Sequence, residues 1–144
     1  VNLWVALTFS SHPHQAIARQ VFNAATNSAP ACFCRVTQQN YLRLLTSEKL
    51  WHVYGSSRIS NQRALTLFST LVSEPEVIYL AEPEAIQTAW YRLAVLEKNA
   101  ASPKVWMDAY LAAFAISANI SLATIDQDFV KYRRYGLDLR LLKT

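Results

Sequence analysis

The chain has 144 residues, 52% of them apolar and 17% charged, with two glycines and a net charge of +4. That length and apolar content suit one folded domain with a real core and exclude an intrinsically disordered chain. The glycine count also rules out a glycine-rich phosphate cradle or a nucleophile elbow, and no GxxxxGK[ST], GxGxxG or GxSxG occurs.

Strands and helices are predicted to alternate. Residues 1–7 form a short apolar run, predicted as a central parallel strand. Pro13 opens a helix capped by Ser11 or His12, with Ala16, Ile17, Ala18, Val21 and Phe22 as its apolar stripe. Residues 31–36 read as a second strand. It carries Cys32 and Cys34 on one face, an arrangement that disfavours a disulfide and reads both as reduced core residues of a cytoplasmic protein. Thr37 is expected to cap a helix through Thr46 that buries Tyr41, Leu42, Leu44 and Leu45. Residues 51–57, with Gly55, read as a turn-rich connection. Ser60 or Asn61 then caps a helix to Val72 with Leu65, Phe68, Leu71 and Val72 inward. Residues 77–80 are a third strand. Pro83 begins a helix from Glu84 to about Lys98, with acids early and Lys98 late, as the helix dipole prefers.

Pro103 sits at the first turn of the next helix, which runs through Ile116 and stops at Asn119. Its apolar stretch, residues 109–120, is too short for a membrane span and is interrupted by Ser117 and Asn119. Residues 121–125 read as a buried strand, 127–135 as a short helix or turn ending at Gly136, and 137–142 as an edge strand. The alternation indicates an α/β fold, a parallel sheet with helices on both faces.

Three of the four aspartates, Asp108, Asp126 and Asp128, fall between Lys104 and Phe129. Asp108 stands among Trp106, Met107, Tyr110 and Leu111, where an acid is costly to bury unless paired or metal-bound. Asp126 and Asp128 follow the carboxyl end of a predicted strand, where open parallel sheets collect ligands. Three carboxylates brought together repel one another, and a hard divalent cation is the usual reason for such a cluster. The plainer alternatives are that Asp108 complements a helix dipole and that Asp126 and Asp128 cap the short helix after them. Lys131, Arg133 and Arg134 read either as a basic run that steers a phosphate backbone or as a solvated face. Arg43 is a further candidate phosphate contact. His12 and His14 have no third or fourth ligand at zinc spacing.

The segments VNLWVAL, VTQQNYLRLL, WMDAYLAAFA and LATIDQDF, in that order, resemble PIN-domain ribonucleases, and within them the VapC toxins of bacterial VapBC toxin–antitoxin pairs. The resemblance spans essentially the whole chain. It implies a PIN-like three-layer α/β/α sandwich with a central parallel sheet of four to five strands, a single domain over residues 1–144. It also implies RNA cleavage with Mg²⁺ or Mn²⁺ held by acidic side chains. On that likeness Asp108 matches the family's helix acid, Asp126 the acid ending the fourth strand, and Asp128 an additional acid beside it, all three catalytic and metal-ligating. Thr124 matches a strand-end hydroxyl, and Asn2 an asparagine that supports a first-strand aspartate. Arg43, Lys131, Arg133 and Arg134 would hold the RNA backbone.

Two departures accompany the likeness. The first-strand aspartate would fall immediately before Val1, so residues are expected ahead of it. Gln38 stands where the family usually has a glutamate, supplies no charge, and should weaken metal binding. The resemblance further implies a VapB-like antitoxin that covers the cleft, a homodimer, and no membrane association. The alternative function is a catalytically impaired PIN-fold module that binds RNA or another partner. A receiver-like or phosphatase domain would place its acids near the first strand, and the clustering near position 126 speaks against it.

Overall fold

Residues 1–97 and 101–143 are described by a computed structural model, and they fall into two units, Val1–Ala81 and Glu82–Lys143.

The first unit begins with a helix, α1 (Asn2–Thr8), where a strand was expected. An unbroken apolar run has no period that separates a buried strand from a buried helix, and here the helix wins. It buries Trp4, Val5 and Ala6, and the Trp4 ring stacks on Phe33 with centroids 4.2 Å apart. In α2 (Gln15–Asn23) the N-cap is His14 rather than Ser11 or His12. His12 instead accepts the His14 amide on Nδ1 at 3.1 Å. Of the expected stripe Ala18 is buried, whereas Ala16 is exposed.

Strand β1 (Ala31–Phe33) stops three residues short of its predicted end because Cys34 is already the N-cap of α3 (Arg35–Leu45). Thr37 occupies the third helical position and accepts the Cys34 amide on its hydroxyl at 2.9 Å, the back-bond of a capping box. Tyr41 and Leu45 are fully buried, while Leu42 and Leu44 are half-buried. The expected turn from 51 to 57 is partly a helix, α4 (Glu48–Val53), and Gly55 follows at φ +61. Helix α5 (Asn61–Val72) has the expected bounds, with the Ser60 hydroxyl accepting the Arg63 amide at 3.1 Å. It buries Ala64 and Phe68, but Leu65 faces outward. Strand β2 (Val77–Tyr79) runs parallel to β1, with Ala31 opposite Val77 and Phe33 opposite Tyr79. Trp4, Phe33, Tyr41, Leu45 and Phe68 make the centre of this unit's core.

In the second unit, α6 (Ile86–Ala94) starts later than Glu84 and ends at Ala94 with Val95 as its C-cap, short of the predicted end, while Lys98 itself lies outside the described residues. The helix packs against α7 (Pro103–Ser117). Ala109, Ala112, Ala113 and Ala115 are buried along α7, so the helix has little solvent-facing surface after its first turns. Asn119 takes a positive φ of 52° and ends it, as expected. Then come β3 (Leu122–Thr124), a 3₁₀ helix (Gln127–Tyr135) and β4 (Leu139–Leu141), which pairs parallel to β3.

Parallel pairing and alternating helices place the chain in the α/β class. The described strands are three residues each and form two two-stranded sheets, β1–β2 and β3–β4, rather than the single sheet of four to five that was expected. Among the described residues no helix is long and apolar enough to cross a membrane. Both cysteines are free, with Cys34 buried.

Candidate functional site

All three candidate acids lie in the Glu82–Lys143 unit, and they converge. Lys104 and Asp108 are one helical turn apart on α7, which puts them on the same face. Asp126 leaves the end of β3 as the N-cap of the 3₁₀ helix, and Asp128 lies in that helix's first turn. The Lys104 ammonium stands between them, 2.6 Å from Asp128 Oδ2, 3.0 Å from Asp126 Oδ2 and 3.9 Å from Asp108 Oδ2.

Asp108, Asp126 and the backbone of Asp128 are positioned by something other than this lysine. Asp126 Oδ1 accepts the Asp128 amide at 2.9 Å, and the Thr124 hydroxyl accepts the Asp126 amide at 3.1 Å. One oxygen of Asp126 therefore caps a helix, as the plainer alternative has it, while the other faces Lys104. Asp108 is the one buried charged side chain among the described residues. Trp106 and Met107, expected to enclose it, are exposed on other faces of α7.

Burial pushes the Asp108 carboxyl up, opposed by Lys104 and reinforced by the neighbouring Asp126 and Asp128 charges. Asp126 is also driven up by burial, but the Asp128 amide and Lys104 outweigh that and leave it below the ordinary value. Lys104 is held well above the usual lysine range, first by Asp128 and then by Asp126.

A pocket of about 490 Å³ opens beside the cluster, lined by Lys104, Asp108, Asp128 and Lys131 together with Glu97 and Trp106. Of the predicted basic run, only Lys131 reaches it. Arg133 donates to the Leu139 carbonyl at 3.0 Å, and Arg134 lies over the Tyr135 ring at 4.9 Å. Asn2, Gln38 and Arg43 belong to the other unit, where each makes a local bond. Asn2 Oδ1 accepts the Leu3 amide, Gln38 Oε1 accepts from Arg35 at 2.6 Å, and Arg43 donates to Asn40 at 3.2 Å.

Two participants escaped the sequence reading. Lys104 was legible from its four-residue spacing to Asp108. Tyr132, whose buried hydroxyl has no hydrogen-bond partner among the described residues, carries no such signal.

The donor chemistry fits a hard divalent cation: three carboxylates face one point already held by positive charge. As the side chains stand, no group of three or more His, Cys, Asp or Glu among the described residues is arranged to hold a metal. A divalent ion held by these three carboxylates would take the place of the ammonium.

A family model for the PIN domain matches residues 1–135. The chain belongs to the PIN-domain family. Within that family it is similar to Ribonuclease VapC41 of Mycobacterium tuberculosis, in strains CDC 1551 / Oshkosh and ATCC 25618 / H37Rv alike. The two are 38% identical over 142 residues, covering 98% of this chain and 94% of the relative. The PIN-domain match runs through both Asp108 and the Asp126–Asp128 pair, so the convergent acids lie inside the matched region.

Proposed function

We propose that this PIN-domain chain is the toxin ribonuclease of a type II toxin–antitoxin pair, an endonuclease that hydrolyses RNA phosphodiester bonds with Mg²⁺ or Mn²⁺. The observation that carries the reading is the convergence of Asp108, Asp126 and Asp128 on a single cation. The PIN-domain match and the likeness to a VapC ribonuclease support it.

In this reading Asp108, fixed by its burial on helix α7, would hold the ion together with Asp126 and Asp128, whose turn is set by the Thr124 hydroxyl. When bound, the ion activates a water for in-line attack and offsets charge on the phosphoryl oxygens. Lys131, at the pocket, takes a phosphate of the RNA backbone, with Arg133, Arg134 and Arg43 as outer contacts. Asn2 and Gln38, in the other unit, keep the supporting roles that the family likeness implies. The partners are RNA, a VapB-like antitoxin and a second copy of the chain, all in the cytoplasm.

The test is RNA cleavage by the purified protein in Mn²⁺ or Mg²⁺. Cleavage should stop on chelation, and Asp108→Asn should lose more than the roughly 10–100-fold that even an outer-shell partner of a metal costs. Activity that survives both treatments refutes the proposal. A second reading, a PIN fold that holds RNA without cutting it, is favoured by the lysine already seated among the acids. It predicts RNA binding with no cleavage in any metal.

A further inference from the structure

Lys104 has no part in the mechanism above, yet three acids from two separate elements turn the same oxygen, Oδ2, toward its ammonium. An ordinary surface lysine pairs with one carboxylate and gains little from it. Here the side chain is 56% exposed, so the stem lies in solvent and only the head is held. Such a head swings away without disturbing any packing.

Two roles fit a cation in this place, and they predict opposite effects. A strut gathers the acids, and its removal loosens the site. A plug occupies the site, and its removal frees it. The backbone separates the two. Asp126 is oriented through its other oxygen by the Asp128 amide, the Asp126–Asp128 turn is set by Thr124, and Asp108 is fixed by its burial on α7. Asp108 and Asp126 hold their places without help from Lys104, and the Asp128 backbone is set by the hydrogen bond of its amide to Asp126, although among the described residues the Asp128 carboxylate is met only by the ammonium.

We propose that Lys104 is a built-in cationic plug in the acid cluster, displaced by an incoming divalent ion, so that this lysine lowers the site's affinity for metal. This rests on the metal-dependent reading above. The lysine thereby sets the metal concentration at which the acids become available. With the plug removed, three carboxylates repel one another unrelieved, which favours any cation that enters.

Mn²⁺ binding, followed by the loss of the free-ion electron paramagnetic resonance signal, reads this out without any catalysis. Lys104→Met and Lys104→Ala should each bind Mn²⁺ about tenfold more tightly than the unaltered chain, a change of about 1.4 kcal/mol. Lys104→Arg should stay close to it, because a cation remains. Mn²⁺ binding by the Met or Ala variant alone, with none by the unaltered chain, supports the plug in its strongest form. Affinity unchanged or weakened in both variants overturns the plug and leaves the metal-dependent reading standing. Absence of binding in the unaltered chain and in both variants overturns the plug and the metal-dependent reading together.

Discussion

At the scale of single residues, two buried polar groups of the Glu82–Lys143 unit, Tyr132 and Asp108, each cost the fold stability. Tyr132 is fully buried, its hydroxyl lacks a partner among the described residues, and its phenol is pushed up to about 12 by burial and then by the Asp108, Asp128 and Glu97 charges. A buried unsatisfied hydroxyl costs about 1–3 kcal/mol. Tyr132→Phe should therefore raise the melting temperature of the metal-free protein, where a Tyr→Phe change at a bonded hydroxyl lowers it. Asp108 gives a pH-dependent counterpart. Its folded pKa lies above the 3.8 of a free side chain, so the fold favours its neutral form. That contribution is complete below 3.8 and is lost as pH rises through the folded value. Asp108→Asn should accordingly be more stable than the unaltered chain at pH 7 in urea unfolding, with the difference closing as pH falls through the folded value toward 3.8, while RNA cleavage is lost. A variant less stable at pH 7 contradicts the assignment. The acids were legible in the sequence because carboxylates in apolar surroundings are conspicuous. The orphaned hydroxyl was not, because a tyrosine in a core stripe looks the same whether or not its oxygen finds a partner.

Among the elements, the 3₁₀ helix Gln127–Tyr135 carries the site at one end and an abrupt stop at the other. Asp126 caps it, and capping asks only for a side-chain oxygen. Asp126→Ala should cost about 1 kcal/mol of stability. Asp126→Asn should keep the cap while losing the charge that faces Lys104. Chemical denaturation of both variants separates the two tasks, and equal losses would mean the cap contributes nothing. Gly136 ends the helix at φ +98, with open space where a Cβ would stand. Gly136→Ala should cost about 1–2 kcal/mol from backbone strain alone. Elements of this kind were readable in advance: a cap before a periodic stripe, or a glycine after one, placed α5 to within a residue and bounded the 3₁₀ helix at Gly136. Helix α1 was misread because its apolar run has no polar interruptions to reveal a period. Helix α4 was missed because a tertiary bond, from Trp51 Nε1 to the Leu45 carbonyl at 2.6 Å, helps to fix its place, and no local pattern announces such a bond.

For the whole molecule, the division into Val1–Ala81 and Glu82–Lys143 makes metal binding a probe of where the site lies. Lys104, Asp108, Asp126 and Asp128 all belong to the second unit, on α7 and at the end of β3. A ligand bound only by the folded state adds about 2.7 kcal/mol when present at 100 times its dissociation constant. Amides that exchange through unfolding of the site-bearing unit then slow by about 100-fold. Mn²⁺ at that excess should slow amide exchange along α7 and β3 to this extent, and Lys104→Met should reach the same slowing at about one-tenth of the Mn²⁺ concentration. The sequence reading placed Asn2 and Gln38 around the same ion, yet they lie in the other unit and make bonds to their own neighbours. Their share in metal binding is thus separable from that of the aspartates. Asn2→Ala and Gln38→Ala test it by whether the Mn²⁺ concentration needed for the α7 slowing shifts. Slowing confined to α3 and α5, with none in α7 or β3, would remove the ion from the three aspartates altogether.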